Sequence, residues 1–294
     1  MDNQRNNLLN AKSGGFAFMV MMTVYIFLSF FGQSVAELIF AKGSAPYLAL
    51  CSLLSSLSIL VVVLYFIFGR GIRAVEVTNV KKFNPVYIIP AIMLSVGMFM
   101  GLGFINDALS VALKNAGLNV STLILPLNDI GNVILFIIVL AVFPAVVEEM
   151  FFRGLILNSL KGCKIIFAVI IASFSFALYH CSMTQLVYQL IYGAGLVVLC
   201  LMSKSAIPCI IAHFINNFAV ILLEYLKIGV NLYSPLVIAI GVALLLGFVA
   251  FACFSFKKQP IESGKDKGGE FLLPFGVFPI LICLIVLISN LFVV

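Results

Sequence analysis

The chain has 294 residues, of which 63% are hydrophobic and 10% are charged. A soluble domain is about 45–50% apolar and about 25% charged, so this composition excludes a water-soluble enzyme and a disordered chain. Long apolar runs, rather than short alternating segments, argue against a transmembrane β-barrel. The net charge of +6 comes with short basic loops and no basic stripe interleaved with aromatic residues, so it does not indicate nucleic-acid binding. The composition predicts an all-α fold, a polytopic transmembrane helical bundle.

The predicted elements are a series of apolar helices, each needing about 20 apolar residues to cross a bilayer. They are residues 15–36, 47–69, 87–106, 131–152, 165–181, 184–203, 206–226, 233–256 and 272–294. The fourth run stays apolar after Arg153, so its helix should continue to near Leu160. The last run is the weakest, and the sequence therefore predicts eight to nine spans.

The basic residues indicate the orientation of these spans. With the N-terminus in the cytoplasm, only Lys42, Lys114 and Lys227 of the 17 Lys and Arg residues fall on the opposite side. The positive-inside rule expects such an asymmetry. We therefore predict an integral plasma-membrane protein with a cytoplasmic N-terminus, and its short loops suit a bacterial membrane.

One long connection lies on the non-cytoplasmic side, at residues 107–129. Its two apolar patches predict either an interfacial or re-entrant helix that covers a cavity, or an amphipathic loop on the membrane surface. The seven cysteines lie mostly inside apolar runs and form no C-x-x-C pair. They are interpreted as free, small hydrophobic residues rather than disulfides or metal ligands.

Ionisable residues inside apolar runs are informative, because each costs about 2.5–3.5 kcal/mol at the centre of a spanning helix. The fourth run contains Glu148, Glu149 and Arg153. Glu149 and Arg153 are four residues apart and can pair on one helix face, whereas Glu148 points about 100° away. One carboxylate is then structural and the other is free for chemistry. The alternative is a helix that ends at the membrane surface with its charges in water.

The chain has only two histidines, and both lie in predicted spans. His180 follows Phe176 by four residues, and His213 precedes Asn217 by four, so each pair shares a helix face. Glu148 could take a proton from a water that His180 orients, while His213 and Asn217 donate hydrogen bonds to an oxyanion. The alternative is a metal site of Glu148, His180 and His213 with a metal-bound water.

Helix rise allows a comparison of depth. Glu148 and His180 come at similar levels, and His213 comes about 10 Å nearer the cytoplasmic end. Helix tilt and side-chain length would have to absorb this difference.

The order of these motifs resembles a known family. Glu148-Glu149…Arg153, Phe176…His180 and His213…Asn217 are similar to the motifs of the CAAX protease and bacteriocin-processing (CPBP) family of intramembrane proteases, over about residues 131–226. The resemblance implies hydrolysis of peptide bonds within the membrane.

The roles of the individual residues follow from the same resemblance. It implies Glu148 as the catalytic carboxylate, with His180 as its partner on the water. It implies that His213 and Asn217 stabilise the oxyanion. The supporting residues would be Glu149 and Arg153, as a structural pair, and Phe176, as a packing residue that sets the His180 rotamer.

The resemblance also divides the chain. Residues 131–226 would form the catalytic core, residues 1–130 the N-terminal transmembrane helices with the interfacial connection, and residues 227–294 the C-terminal transmembrane helices. The expected partners are a membrane protein or peptide substrate and the lipid bilayer, without nucleic acid. The family has been described as metal-dependent and as glutamate-dependent. Because the chain has no H-E-x-x-H pattern, we favour the reading without a cofactor, and zinc is the alternative.

Two other functions remain open from the sequence. The first is a non-catalytic membrane scaffold or bacteriocin self-immunity protein of the same fold. The second is a proton-coupled transporter, since intramembrane Glu and His also mark proton relays. The polar residues of this chain cluster in one stretch, however, rather than in the two matching halves of an inverted repeat.

Overall fold

A computed structural model describes residues 9–118, 120, 124–227, 234–261, 263–266, 268–273 and 277–289. Over these residues the chain is a helical bundle with no β-strand. The predicted fold class is therefore confirmed. Twelve helices are described, as follows: α1 Ala11–Ile39, α2 Ala45–Gly69, α3 Ala74–Thr78, α4 Ile88–Leu102, α5 Phe104–Asn115, α6 Ile130–Ser159, α7 Ile165–Tyr179, α8 Leu186–Ser203, α9 Ile207–Leu226, α10 Pro235–Lys258, α11 Gly269–Leu272 and α12 Val277–Ser289.

Seven stretches of the described chain are long and apolar enough to cross a membrane. They are α1, α2, the stretch Pro85–Asn115 that contains α4 and α5, α6, α8, α9 and α10. The other two predicted spans are the shorter apolar helices α7 and α12. With 15 residues, α7 is about 22 Å long, which is less than the ~30 Å hydrocarbon core of a bilayer. The C-terminal end of α7, which is followed by His180, is therefore expected to lie inside the bundle and not at the far membrane surface.

The connection at residues 107–129 begins as a helix. It starts with α5, which follows α4 directly and contains no buried residue. Gly117 then turns the chain with φ +77°, a conformation that glycine adopts without strain. The second apolar patch, residues 120–127, lies partly outside the described residues. Asp129 begins α6 as an N-cap, because its carboxylate accepts the backbone N–H of Asn132 at 3.0 Å.

The helix α6 is irregular around the Glu-Glu motif. Residues 137–142 and 150–156 form wider π-type turns, and an α-helical segment at 143–149 lies between them. The backbone N–H of Phe143 bonds to the carbonyl of Ile138, five residues earlier. Pro144 then removes a donor from the helix. Both wide turns flank Glu148 and Glu149, and such turns occur frequently at functional sites.

Glycines let neighbouring helices approach the centre of the bundle. A Cβ at Gly154 would overlap the carbonyl oxygen of Val77 and lie 2.6 Å from the carbonyl carbon of Thr78, so α3 packs directly on the backbone of α6. A Cβ at Gly193 would lie 3.1 Å from the ring of Phe176, where α8 packs against α7. Small residues permit this kind of close contact between membrane helices.

Candidate active site

A buried ion pair forms the base of the site. Nη1 of Arg153 donates to Oε1 of Glu149 at 3.0 Å, and both side chains are fully buried. Nη2 of Arg153 donates to the carbonyl oxygen of Gly193 on α8 at 3.2 Å. The wide turn at residues 150–156 thus directs Arg153 toward both its own helix and α8. Each of these hydrogen bonds is assisted by charge, which strengthens it in a dry interior.

The same carboxylate holds His213. Nδ1 of His213 lies 2.9 Å from Oε1 of Glu149, and the imidazole is 3% exposed. An ionised carboxylate only accepts hydrogen bonds, so Nδ1 carries the hydrogen. Nε2 is therefore the ring nitrogen of His213 that is left for other contacts in the site. This atom lies 4.0 Å from Oε2 of Glu148.

Glu148 is the carboxylate without a dedicated partner. It is 5% exposed, and its Oε2 has no hydrogen-bond partner among the described residues. Burial of such an oxygen is costly unless something binds it. The 4.0 Å gap to His213 is too long for a direct hydrogen bond. With both carboxylates ionised, Glu148 and Glu149 carry one more charge than Arg153 balances.

His180 has the same tautomer as His213 for a different reason. It follows the last residue of α7, and its Nδ1 lies 2.9 Å from the carbonyl oxygen of Phe176. A carbonyl only accepts, so Nδ1 donates and Nε2 of a neutral His180 is an acceptor. His180 is only partly buried. Its Nε2 can therefore accept a hydrogen bond from water.

Phe176 lies between the two imidazoles. Its ring centroid is 4.8 Å from that of His180 and 5.8 Å from that of His213. The guanidinium carbon of Arg153 lies over the same ring, 4.3 Å from its centroid. Phe152 packs on it edge to face at 5.3 Å. The phenyl ring thus positions three polar groups at once, by aromatic and cation–π contacts.

Asn217 is tied to the irregular part of α6. Its Nδ2 donates to the carbonyl oxygen of Leu140 at 3.1 Å, in the wide turn at residues 137–142. Its Oδ1 accepts from Asn216 at 3.3 Å, and Asn216 accepts from the hydroxyl of Tyr188 at 2.7 Å. An amide nitrogen has two hydrogens, so Asn217 retains a second N–H for another acceptor.

Several contributing residues were not identified from the sequence. The ring of Tyr192 packs 6.3 Å from that of His213. Its hydroxyl lies 3.3 Å from Oγ of Ser95, which donates to the carbonyl of Ala212 at 2.6 Å. The sequence did contain one indication of these residues. Tyr188 and Tyr192 share one face of α8, and a buried tyrosine needs a partner for its hydroxyl. Nothing in the sequence indicated that the Gly193 carbonyl accepts a hydrogen bond from Arg153.

The metal alternative does not fit the arrangement of these side chains. Within the described ranges, no group of three or more His, Cys, Asp or Glu residues is placed to hold a metal ion. The hydrogen bonds of the two Nδ1 atoms, to Glu149 and to Phe176, leave each Nε2 free, but Glu148, His180 and His213 are not grouped as a three-ligand set in these ranges.

Comparison with known proteins agrees with the motifs. Residues 130–219 match a family model described as Rce1-like, type II CAAX prenyl endopeptidase. This segment contains all three motifs, from Glu148 to Asn217. No curated protein and no solved structure matches the chain. The match confirms the resemblance read from the motifs, over residues 130–219.

Proposed function

We propose that the chain is an intramembrane endopeptidase, which hydrolyses a peptide bond of a membrane-associated protein or peptide with a water activated by Glu148. One observation carries this proposal. The buried Oε2 of Glu148 has no hydrogen-bond partner in the described part of the chain, and it faces Nε2 of His213 across 4.0 Å. Such a pair of groups can hold a water and a carbonyl oxygen side by side.

The water would donate one hydrogen bond to Glu148 and the other to Nε2 of His180. Glu148 takes the first proton as the water oxygen attacks the carbonyl carbon, which gives a tetrahedral intermediate with a negatively charged oxygen. The protonated Glu148 then delivers this proton to the amide nitrogen as the C–N bond breaks. The products are a carboxylic acid, which ionises, and a free amine. One water is consumed for each bond cleaved.

The oxyanion would be stabilised by two donors. His213 donates from Nε2 when both ring nitrogens are protonated, and Glu149 holds the ring through Nδ1 as the aspartate holds the histidine of a Ser-His-Asp triad. Asn217 donates with the amide hydrogen that Leu140 does not use. Fixed donors of this kind contribute about 10²–10³-fold each in other enzymes.

The test compares protein termini in membranes that carry the wild type, Glu148→Gln or Glu224→Gln, at matched expression. Glu224 is a matched control, because it is a glutamate of α9 that lies outside the site, where its carboxylate accepts from the backbone N–H of Leu125 at 3.4 Å. New termini are expected with the wild type and with Glu224→Gln, and not with Glu148→Gln.

A contrary outcome is equally specific. If no termini differ while cells with Glu148→Gln keep the bacteriocin tolerance of cells with the wild type, the proposal of a protease is replaced by that of a scaffold or self-immunity protein. A purified preparation extends the test to substrate. The first peptide to test as a substrate is a prenylated peptide ending in a CAAX sequence, because the matching family is described as a CAAX prenyl endopeptidase. Cleavage of this peptide should survive a metal chelator, because the proposed water activation requires no metal.

A further inference from the structure

A second cavity lies away from the Glu148 site, at the end of the bundle that carries most of the basic residues. Its volume is about 480 Å³, within the usual range of small-molecule sites. Its walls come from the segment after α3, the junction of α6 and α7, the C-terminal turn of α8 and the segment after α10. It adjoins the active-site helix through Cys200, whose thiol lies 3.8 Å from the carbonyl oxygen of Arg153.

Three lysines line this cavity, and none of its described lining residues is a carboxylate. They are Lys81, Lys161 and Lys204, from three separate connections. None of the three forms an ion pair with a described residue. Partial burial and the nearby ammonium of Lys81 lower the pKa of Lys161. No carboxylate of the described residues is therefore within ion-pair distance of the three ammonium groups.

The lysine-bearing connections are held by specific hydrogen bonds. The backbone N–H of Ala206 donates to the carbonyl of Asn79 at 2.9 Å, and Oγ of Ser205 donates to the carbonyl of Lys81 at 2.8 Å. Asn79 and Lys204 both have left-handed backbone conformations, with φ of 54° and 57°. These bonds join the segment after α3 to the connection between α8 and α9. The cavity is therefore a built feature of the fold.

The remaining wall of the cavity is apolar. Its side chains come from the same connections and helix ends, namely Leu157, Leu160, Ile165, Ala168, Leu201, Pro260 and Ile261. On α7, Ile166 and Ile170 are 71% and 57% exposed. A ligand with an anionic head in the cavity could therefore lay an apolar chain along the outer face of α7.

Acidic residues at this end of the bundle belong to a neighbouring cavity. That cavity, of about 430 Å³, is lined by Glu76, Asp266 and Glu270, and it shares Lys161 with the first. Glu76 is paired with Arg73. The carboxylates therefore attract Lys161 from one side only, and an anion is favoured in the cavity that contains all three lysines.

We propose that the three-lysine cavity binds the phosphate headgroup of an anionic phospholipid. Basic pockets between helices on the cytoplasmic side of membrane proteins recognise lipid headgroups in this way. The three ammonium groups contact the phosphate, and the apolar wall contacts the glycerol and the first part of the acyl chains. This site is independent of peptide hydrolysis.

The proposal is tested on the purified full-length protein in neutral detergent, by native mass spectrometry with added phosphatidylglycerol, phosphatidylcholine or sodium phosphate. The variant Lys81→Gln/Lys161→Gln/Lys204→Gln removes the three ammonium groups. The control Lys82→Gln/Lys164→Gln/Lys257→Gln removes the same charge from the same end of the bundle without touching the cavity lining. Ile261→Asp adds a carboxylate to the apolar wall and keeps every lysine.

Phosphatidylglycerol is expected to bind the wild type and the control at least about tenfold more tightly than the cavity variant, as the loss of three nearby charges implies. Ile261→Asp should also weaken it. Equal binding of phosphatidylglycerol and phosphatidylcholine would overturn the proposal, and so would an equal loss in the two triple variants. Displacement of the lipid by millimolar sodium phosphate would overturn the assignment to a lipid and identify free phosphate as the ligand.

Discussion

Oε1 of Glu149 lies 2.9 Å from Nδ1 of His213. This contact joins residues that are 64 positions apart in the chain. The same oxygen accepts from Arg153 at 3.0 Å, so one carboxylate connects the first motif to the third. The pair of Glu149 and Arg153 has two tasks in consequence: it compensates charge inside the membrane, and it orients an imidazole.

The two tasks can be separated by a pair of substitutions. Arg153→Met leaves Glu149 buried without its cation and is expected to destabilise the protein by about 3–5 kcal/mol. The double variant Glu149→Met/Arg153→Met removes both charges and should recover most of that loss. Its cleavage activity should stay low, because His213 has no acceptor for Nδ1. Thermal unfolding in detergent and a cleavage assay measure the two effects. Recovery of activity together with stability would contradict the orienting role.

The two nitrogens of His180 should contribute differently. Asparagine reproduces the Nδ1–H that donates to Phe176 and lacks a group at Nε2, whereas glutamine reaches the Nε2 position. We therefore expect His180→Asn to be folded and at least ~10²-fold slower in cleavage, with His180→Gln retaining more activity. Rates under single-turnover conditions check this order. A faster His180→Asn would show that the bond to Phe176 is the important one.

Phe176 should act as a positioning residue. Phe176→Leu removes the ring that contacts both imidazoles and Arg153. The expected result is a lower maximal rate with little change in KM, because the proposed role of the ring is to position the two imidazoles. Phe174→Leu on the same helix is the matched control, since Phe174 is only partly buried and projects about 200° around the helix from Phe176. Equal effects of the two variants on rate and on melting temperature would indicate a packing role alone.

Close packing at Gly154 makes a further prediction. Gly154→Ala places a methyl group against the backbone of α3 at Val77, and overpacking of this kind costs about 1–3 kcal/mol. Gly162→Ala is the comparison, because a Cβ at Gly162 would have no atom within 4 Å. Denaturation in mixed micelles should show a loss for the first variant only. Matched stability of both would mean that α3 can shift away from α6.

Lys161 should react as an unusually nucleophilic amine. Its pKa is lowered by burial and by Lys81, so a larger fraction of Lys161 is neutral at a given pH than of an ordinary lysine. We expect faster acylation of Lys161 than of exposed Lys257 near neutral pH, measured by mass spectrometry of peptides. The difference should shrink at high pH, where both amines are neutral. Phosphatidylglycerol should slow the reaction of Lys161, and slower acylation of Lys161 in its absence would contradict the lowered pKa.

Much of the site could be identified from local spacing. The ion pair of Glu149 and Arg153 follows from a separation of four residues on a helix, which is a local relationship. The extension of α6 beyond Arg153 follows from the apolar residues after it, and the structure ends this helix at Ser159. Spacing also put Phe176 with His180. It could not show that Phe176 contacts His213 as well, since that contact joins two separate helices.

The sequence by itself determined that this protein is a polytopic helical bundle whose central part resembles the CPBP family, because composition and short motifs are properties of the chain. Depth along ideal helices put His213 nearer the cytoplasmic end than Glu148 and His180, yet side-chain atoms of His213 and Glu148 lie 4.0 Å apart. Only the tertiary structure showed that these two side chains are neighbours. The wide turns of α6 and the glycine contacts set where each helix lies, and those positions depend on packing between residues that are far apart in the chain.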